Sequence, residues 1–342
     1  MNIICIITAR MAAERLPGKA MVEYGNPPRP NLAWVVDRYA SAGSISKVIV
    51  STTTEPDDDV IAEWCSQEGI DCYRGKTGDV AGCIYEHALN YHPDYILRGT
   101  TDCPFVEVST LDMAIDVVVQ HKADAGRIAA PPNRVAIYGA AEYPYSWRAV
   151  AMMHKYSRGS EREHFGWYLE NYRSRFHMVY PKPPSEFYQT YFRPYRLELD
   201  TPEDLELVCA IYAELQDGTK PIPMWQVIHL LDKQPDLASI NQTIIEKTGP
   251  VSSFNADTWR EWGADMKEKV VPWDGEWTWL QGRPHKARAL WCRNRTCYLG
   301  WLERKKIHGN WQTRLHRPDG TVVVGDADIP CACGAGLKWR VT

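Results

Sequence analysis

An α/β fold built on a mostly parallel sheet, with a small β-rich unit after it, is predicted by three features of the 342-residue sequence. β-Branched apolar runs of strand length alternate with stretches whose apolar residues recur at helical spacing, the pattern of parallel strands joined by crossover helices. Those runs end in small, basic or acidic residues, as strands do where they deliver side chains to the carboxyl edge of an open sheet. Composition then changes after Pro250. That segment carries 15 Lys and Arg against 10 Asp and Glu, the rest carries 24 against 33, and 9 of the 14 Trp fall in it. Lys247-Thr248-Gly249-Pro250 with Ser252-Ser253 reads as a linker, so the expected domains are 1–249 and 250–342.

In chain order, Ile3-Ile4-Cys5-Ile6-Ile7 is expected to be a buried strand. It enters the loop Ala9-Arg10-Met11-Ala12-Ala13-Glu14-Arg15-Leu16-Pro17-Gly18-Lys19. Three cations, Arg10, Arg15 and Lys19, share this loop with Gly18. Arg forks pair bidentately with phosphate oxygens and Lys adds a mobile point charge, so the loop suits a polyphosphate, or else is a solvated basic turn. Leu32 to Tyr39 has helical spacing and leads to a second strand, Lys47 to Thr52. Asp57-Asp58-Asp59 then opens a helix through Val60, Ile61, Trp64 and Cys65, acidic at its start. Gly69 to Gly75 is a short strand, Val80 to Asn90 a helix, and Tyr95-Ile96-Leu97-Arg98 a further strand.

That last strand ends in Thr101-Asp102-Cys103-Pro104, where Asp102 is placed to hold a hard cation such as Mg²⁺, which takes one or two protein carboxylates. Much later, Leu197 and Leu199 alternate with Glu198 as in a strand, and Asp200 follows. Asp200 is either a second metal ligand or the cap of the helix opening at Pro202. Ser160 and Glu163 have capping-box spacing, so Arg162-Glu163-His164 reads as the start of an amphipathic helix.

The net charge is −4. No apolar run reaches membrane-spanning length, and the first one lacks the length and preceding basic residues of a secretory signal. A soluble, cytoplasmic protein is expected. Six of the ten cysteines are scattered among apolar neighbours, as reduced core thiols are.

In order and spacing, Ile7-Thr8-Ala9-Arg10 through Arg15-Leu16-Pro17-Gly18-Lys19 resembles the opening motif of the sugar-activating cytidylyltransferases. These include the acylneuraminate and 3-deoxy-manno-octulosonate enzymes. The spore-coat-polysaccharide branch is the closest in look. Its pattern continues through Val50-Ser51-Thr52-Thr53, Tyr73-Arg74-Gly75 with Asp79-Val80, Arg98 to Pro104, Arg162-Glu163-His164, and Arg196 to Asp204. Leu230-Leu231-Asp232 to Ile240-Asn241 resembles its closing helix. Ala13, where the family usually has Ser, and Phe105-Val106-Glu107, where Asp-Pro is common, depart from it.

The resemblance implies a nucleotide-diphospho-sugar transferase fold that joins CMP to a sugar or sugar acid and releases pyrophosphate. By it, Arg10, Lys19, Asp102 and Asp200 are the catalytic set, and Asp102 and Asp200 hold Mg²⁺. Ala9, Arg15, Ser51, Thr52, Arg74, Gly75 and Asp79 join Arg10 and Lys19 in binding CTP, while Arg98, Arg162, Glu163, His164 and Arg196 face the acceptor. A homodimer is expected. A glycosyltransferase consuming a nucleotide sugar, and a non-catalytic nucleotide- or glycan-binding protein, are the alternatives.

After Pro250, Trp277 to Leu280, Ala289 to Cys292, Cys297 to Trp301 and Thr321 to Val324 read as strands, with turns at Asn310 and Pro318-Asp319-Gly320. Asp326-Ala327-Asp328 reads as a solvated turn. Cys292, Cys297, Cys331 and Cys333 form two close pairs that suit structural Zn²⁺, with unligated thiols or a disulfide as the alternatives. The tryptophans fit the core of a small sheet, a dimer or glycan contact, or nucleic-acid stacking.

Overall fold

The computed structural model describes residues 1–126, 143–179, 195–242 and 244, with strand segments at 287–291, 298–307, 310–316, 322–324, 327–329 and 337–339. The chain opens on β1 (Ile3–Thr8), and a small hairpin of β2 (Glu23–Tyr24) and β3 (Arg29–Pro30) leads into α1 (Asn31–Ala40). The alternation then runs β4 (Lys47–Thr53), α2 (Asp59–Glu68), β5 (Cys72–Gly75), α3 (Val80–Ala88) and β6 (Tyr95–Thr100). Next come α4 (Val108–Gln120), β7 (Ala125–Gly126), β8 (Pro144–Ser146), α5 (Trp147–Tyr156), α6 (Ser160–Glu163), α7 (Trp167–Asn171) and β9 (Met178–Val179). Helices α8 (Pro202–Leu215), α9 (Met224–Lys233) and α10 (Pro235–Ala238) follow.

These strands form one seven-stranded sheet in the order β5-β4-β1-β6-β8-β7-β9. From β5 to β6 every pairing is parallel, but β8 runs antiparallel to both β6 and β7. The sheet is therefore Rossmann-like and mixed, a refinement of the mostly parallel expectation. Strands β7, β8 and β9 hold two or three residues each, too few to leave a period in the sequence.

Why β1 is central follows from its side chains. Ile3, Cys5 and Ile7 point to one face, where α1, α2 and α4 supply Leu32, Val35, Ile61, Cys65, Leu111 and Ile115. Ile4 and Ile6 point to the other, against Ile84 of α3, Val150 and Met153 of α5, and Leu169 of α7. Both faces being covered, the strand is apolar throughout rather than alternating. A third cluster joins Trp34 of α1 to Tyr212, Ile211 and Leu207 of α8 and Val227 of α9. It anchors the helices after Asp200 to the edge of the sheet where β1 ends.

Further along, β10 (Ala287–Trp291), β11 (Tyr298–Ile307), β12 (Asn310–His316) and β13 (Val322–Val324) form a four-stranded antiparallel sheet. β14 (Ala327–Ile329) pairs with β15 (Leu337–Trp339). The expected strands near Ala289, Tyr298 and Val322 are present. Asn310 opens β12 and Asp328 lies in β14, so neither is a turn residue as expected. The linker at Lys247 to Pro250, the strand at Trp277 to Leu280, and Cys292, Cys297, Cys331 and Cys333 lie outside the described residues. Among the described residues no helix is long and apolar enough to cross a membrane, and no group of three or more His, Cys, Asp or Glu is arranged to hold a metal.

Candidate functional site

The loop that follows β1 folds back on itself. The Met11 carbonyl accepts both the Ala13 amide at 3.0 Å and the Gly18 amide at 2.9 Å, and the Gly18 carbonyl accepts Met21 at 2.8 Å. Gly18 makes this return with φ +75°, a conformation that a side chain disfavours. The loop thus presents its cations at the carboxyl edge of the parallel strands. Ala9, beneath it, donates its amide to the Ser51 carbonyl of β4 at 2.9 Å.

The two distant carboxylates meet those cations. Lys19 Nζ lies 2.5 Å from Asp200 and 3.8 Å from Asp102, with its side chain only 13% exposed. Arg15 also pairs with Asp200, and Arg10 lies 3.6 Å from Glu163 of α6. The segment carrying Asp200 is docked by its backbone, since the Leu199 amide donates to the Asp102 carbonyl at 2.8 Å. Leu197 and Leu199 of this segment are buried, and among the described residues it forms a single bridge, at Arg196, rather than a ladder. The expected strand is thus a strap laid beside Asp102.

Asp200 does not cap α8. Thr201 is the N-cap: its hydroxyl accepts the Asp204 amide at 3.2 Å, and Asp204 accepts the Thr201 amide at 3.0 Å, a reciprocal capping box. The Asp200 carboxylate is therefore left to the cations. Replacing Thr201 by Ala is expected to lower stability by about 1 kcal/mol. Urea unfolding with an unchanged midpoint would contradict it.

Arg196 was expected at the acceptor, and the structure places it elsewhere. It is 2% exposed, and its guanidinium grips Asp204 at 2.9 and 3.0 Å and Glu198 at 2.5 Å. Arg162, also expected there, makes a fork–fork pair with Asp79 at 2.7 and 2.6 Å and donates to the His154 carbonyl. Asp79, expected to bind nucleotide, accepts that pair and caps α3 through the Gly82 amide at 2.9 Å. Arg74 is engaged by the carbonyls of Thr53 and Glu55 and by Asp59 at 2.6 Å. These side chains brace the rim, because each is already engaged by carboxylates or carbonyls of the protein. The capping box expected from Ser160 and Glu163 is absent: Gly159 is the N-cap of α6. Glu163 pairs with Arg10 instead, and His164 stacks on Trp167 at 4.0 Å. Gly75, the last residue of β5, lies where a Cβ would stand 2.2 Å from Cys83 Sγ, so any larger residue requires the Cys83 side chain to move.

Ser51 and Thr52, near the end of β4, are buried. Four buried polar atoms here have no hydrogen-bond partner among the described residues: Thr52 Oγ1, Thr100 Oγ1, Asp102 Oδ1 and Arg98 Nε. Arg98 is half-buried on β6, and its side-chain Nε has no hydrogen-bond partner among the described residues. These four atoms stand near the strand ends that the loop cations share, where a ligand would complete them. Burial pushes the Asp102 carboxyl up, but Lys19, the neighbouring Thr100 hydroxyl and Arg98 outweigh it and hold it below its ordinary value. Glu198, which sequence reasoning passed over, is pushed up to about 7 by burial, with Asp102, Asp200 and Asp204 adding to the shift and Arg196 opposing it.

Two hard carboxylates at one edge, one with a shielded unpartnered oxygen, suit a magnesium ion in their donor chemistry. Lys19 bridges them, which leaves the cluster close to charge balance.

Comparison with known proteins gives a consistent picture. The profile of a family described as cytidylyltransferase matches residues 4–219. An uncharacterised protein of Methanocaldococcus jannaschii is 28% identical over 251 residues, covering 72% of this chain and 98% of that one. The spore coat polysaccharide biosynthesis protein SpsF of Bacillus subtilis is 27% identical over 245 residues, covering 70% and 97%. A solved cytidylyltransferase of Leptospira borgpetersenii superposes with a TM-score of 0.60 at 25% identity, covering 70% of this chain and 97% of its own. About three-tenths of the present chain therefore has no counterpart in these proteins.

Proposed function

Since the chain belongs to the cytidylyltransferase family, we propose that it transfers CMP from CTP to a sugar or sugar acid, releasing pyrophosphate. The observation that carries this reading is the single ammonium of Lys19 lying between Asp102 and Asp200, with Arg15 beside it. A hydroxyl oxygen of the acceptor attacks the α-phosphorus in line and gives up its proton to water, while the bond from that phosphorus to the bridging oxygen breaks. The pair of electrons departs with pyrophosphate. Charge grows on the leaving group, so positioning and electrostatic neutralisation do nearly all of the work.

Lys19 and Arg15 turn from Asp200 to the triphosphate oxygens, and Arg10 guards the outer side of the loop. Mg²⁺ held by Asp102 and Asp200 would supply Lewis-acid neutralisation of the phosphates. The base sits near the ends of β1 and β4, where Ser51, Thr52 and backbone groups read it. Arg98, with its unpartnered Nε, suits an anionic group of the acceptor. Glu163, beside Arg10, and His164, stacked on Trp167, stand at the outer side of the loop. The relatives lend weight to this acceptor class: one belongs to spore coat polysaccharide synthesis, and others, matched over shorter stretches, are 3-deoxy-manno-octulosonate cytidylyltransferases. On this reading, residues 250–342 are a separate appended β unit, supported by the strands β10 to β15.

The test is a matrix of the four ribonucleoside triphosphates against acidic and neutral sugars, read as pyrophosphate. CTP with an acidic sugar is expected to release it, and the other triphosphates are expected to fail. Consumption of a nucleotide sugar without pyrophosphate would replace this reading with glycosyl transfer, and no turnover or nucleotide binding would remove catalysis altogether.

A further inference from the structure

The basic loop is held at both ends by buried side chains that do not themselves face the cleft. Near its start stands Asp58, 2% exposed, at the N-cap position of α2. It accepts nothing from that helix. One carboxylate oxygen instead accepts the Met11 amide at 2.7 Å, while the other accepts the Thr53 amide at 3.3 Å and the Thr53 hydroxyl. At the far end stands Asn31, fully buried at the start of α1. Its amide nitrogen donates to the Lys19 carbonyl at 3.0 Å and to the Thr101 carbonyl at 2.6 Å, and its oxygen accepts the Tyr24 hydroxyl at 2.8 Å.

We propose that Asn31 and Asp58 are positioning residues that set where the loop cations stand relative to Asp102 and the end of β4. Asn31 ties the backbone of Lys19 to the residue preceding Asp102, so the reach between ammonium and carboxylate is fixed by two hydrogen bonds to one amide. No other side chain of that size supplies two N–H groups and an acceptor together. Asp58 ties the residue after Arg10 to the last residue of β4, so the phosphate loop and the base-binding strand end move as one piece. Both roles depend on groups far apart in sequence, and neither residue touches the reacting atoms. A displacement of about 1 Å at such a support slows chemistry by roughly two orders of magnitude. The inference rests on the reading that this loop binds the triphosphate of CTP.

The experiment compares Asn31→Asp, Asp58→Asn and the conservative Thr53→Ser with the wild type in the full-length chain. It reads kcat, KM for CTP, thermal midpoint, and binding of inorganic tripolyphosphate. Asn31→Asp sets a carboxylate against two carbonyls and is expected to lower kcat on the order of tenfold or more, with a smaller change in KM. Asp58→Asn leaves one oxygen for the amides of Met11 and Thr53, so one loses its acceptor; KM for CTP and tripolyphosphate affinity are expected to weaken about tenfold. Thr53→Ser keeps the hydroxyl and is expected to match the wild type. Should Asn31→Asp fail to fold, Tyr24→Phe removes only the hydroxyl that orients Asn31 and carries the same test with a smaller fall in kcat. Variants with lower midpoints but wild-type kcat and KM would make both residues merely structural and overturn the proposal. A wild type that bound neither CTP nor tripolyphosphate would overturn it together with the CTP reading. Normal wild-type turnover with unaffected variants would overturn it alone.

Discussion

Asp102→Asn protein is expected to fold normally and to release pyrophosphate from CTP about 10²–10³-fold more slowly than the wild type at saturating Mg²⁺. The substitution keeps shape and removes charge. Asp102 sits where β6 ends, its backbone carbonyl anchoring the strap through the Leu199 amide, and that bond survives the change. What disappears is a carboxylate held ionised by Lys19 against burial. An amide at this position carries no charge and keeps one acceptor oxygen in place of two, so it cannot serve both the Lys19 ammonium and a metal ion as the carboxylate does. Wild-type turnover by the variant would remove Asp102 from the metal site. Thermal midpoints with and without Mg²⁺ give an independent reading, since an ion that binds only the folded protein raises the midpoint. That rise is expected in the wild type and absent in the variant.

The site was legible in the sequence to the extent that its parts sit on local patterns. The loop from Ala9 to Lys19 follows a strongly apolar run, and Asp102 follows another, so their shared position at the carboxyl edge could be read before any coordinate. Asp200 carried two readings because the letters Asp-Thr-Pro-Glu-Asp allow either of two residues to cap. Only the structure shows Thr201 taking the cap with Asp204. Arg196, Arg162 and Arg74 looked like ligands for the same reason that they are braces. A guanidinium is equally suited to a substrate anion and to a carboxylate of its own chain, and the choice lies with long-range neighbours such as Asp79 and Asp204.

Asn31 and Asp58 left weaker traces still. A polar residue at a helix start is ordinary, and the partners that tie each one to the loop and to Asp102 lie 12 and 70 residues away for Asn31 and 47 for Asp58, beyond the nearer Tyr24 and Thr53. The antiparallel strand β8 was missed because three residues carry no period. These misses share one cause: each concerns a contact between segments rather than a preference within one. Helices and long strands announce themselves by their own spacing, whereas the packing of a strap or the partner of an arginine is decided by the assembled edge.

That edge also explains the second large effect. In the free protein Asp200 neutralises Arg15 and Lys19, so a triphosphate has to displace a carboxylate before it can engage them. Replacing Asp200 with Asn removes the competitor while leaving the fold in place, because Thr201 and not Asp200 caps α8. Binding of CTP in the presence of a chelator is therefore expected to tighten about tenfold, the effect of one partly screened charge contact. Turnover with Mg²⁺ is expected to fall about 10²-fold, since the second metal ligand is gone. The two measurements move in opposite directions, which separates this account from simple damage. Lys19→Met supplies the contrast, with both affinity and turnover expected to fall. Calorimetry in chelator and a pyrophosphate assay in Mg²⁺ read the pair. If Asp200→Asn weakened metal-free CTP binding, the carboxylate would have to be supporting the phosphates' binding geometry rather than opposing it.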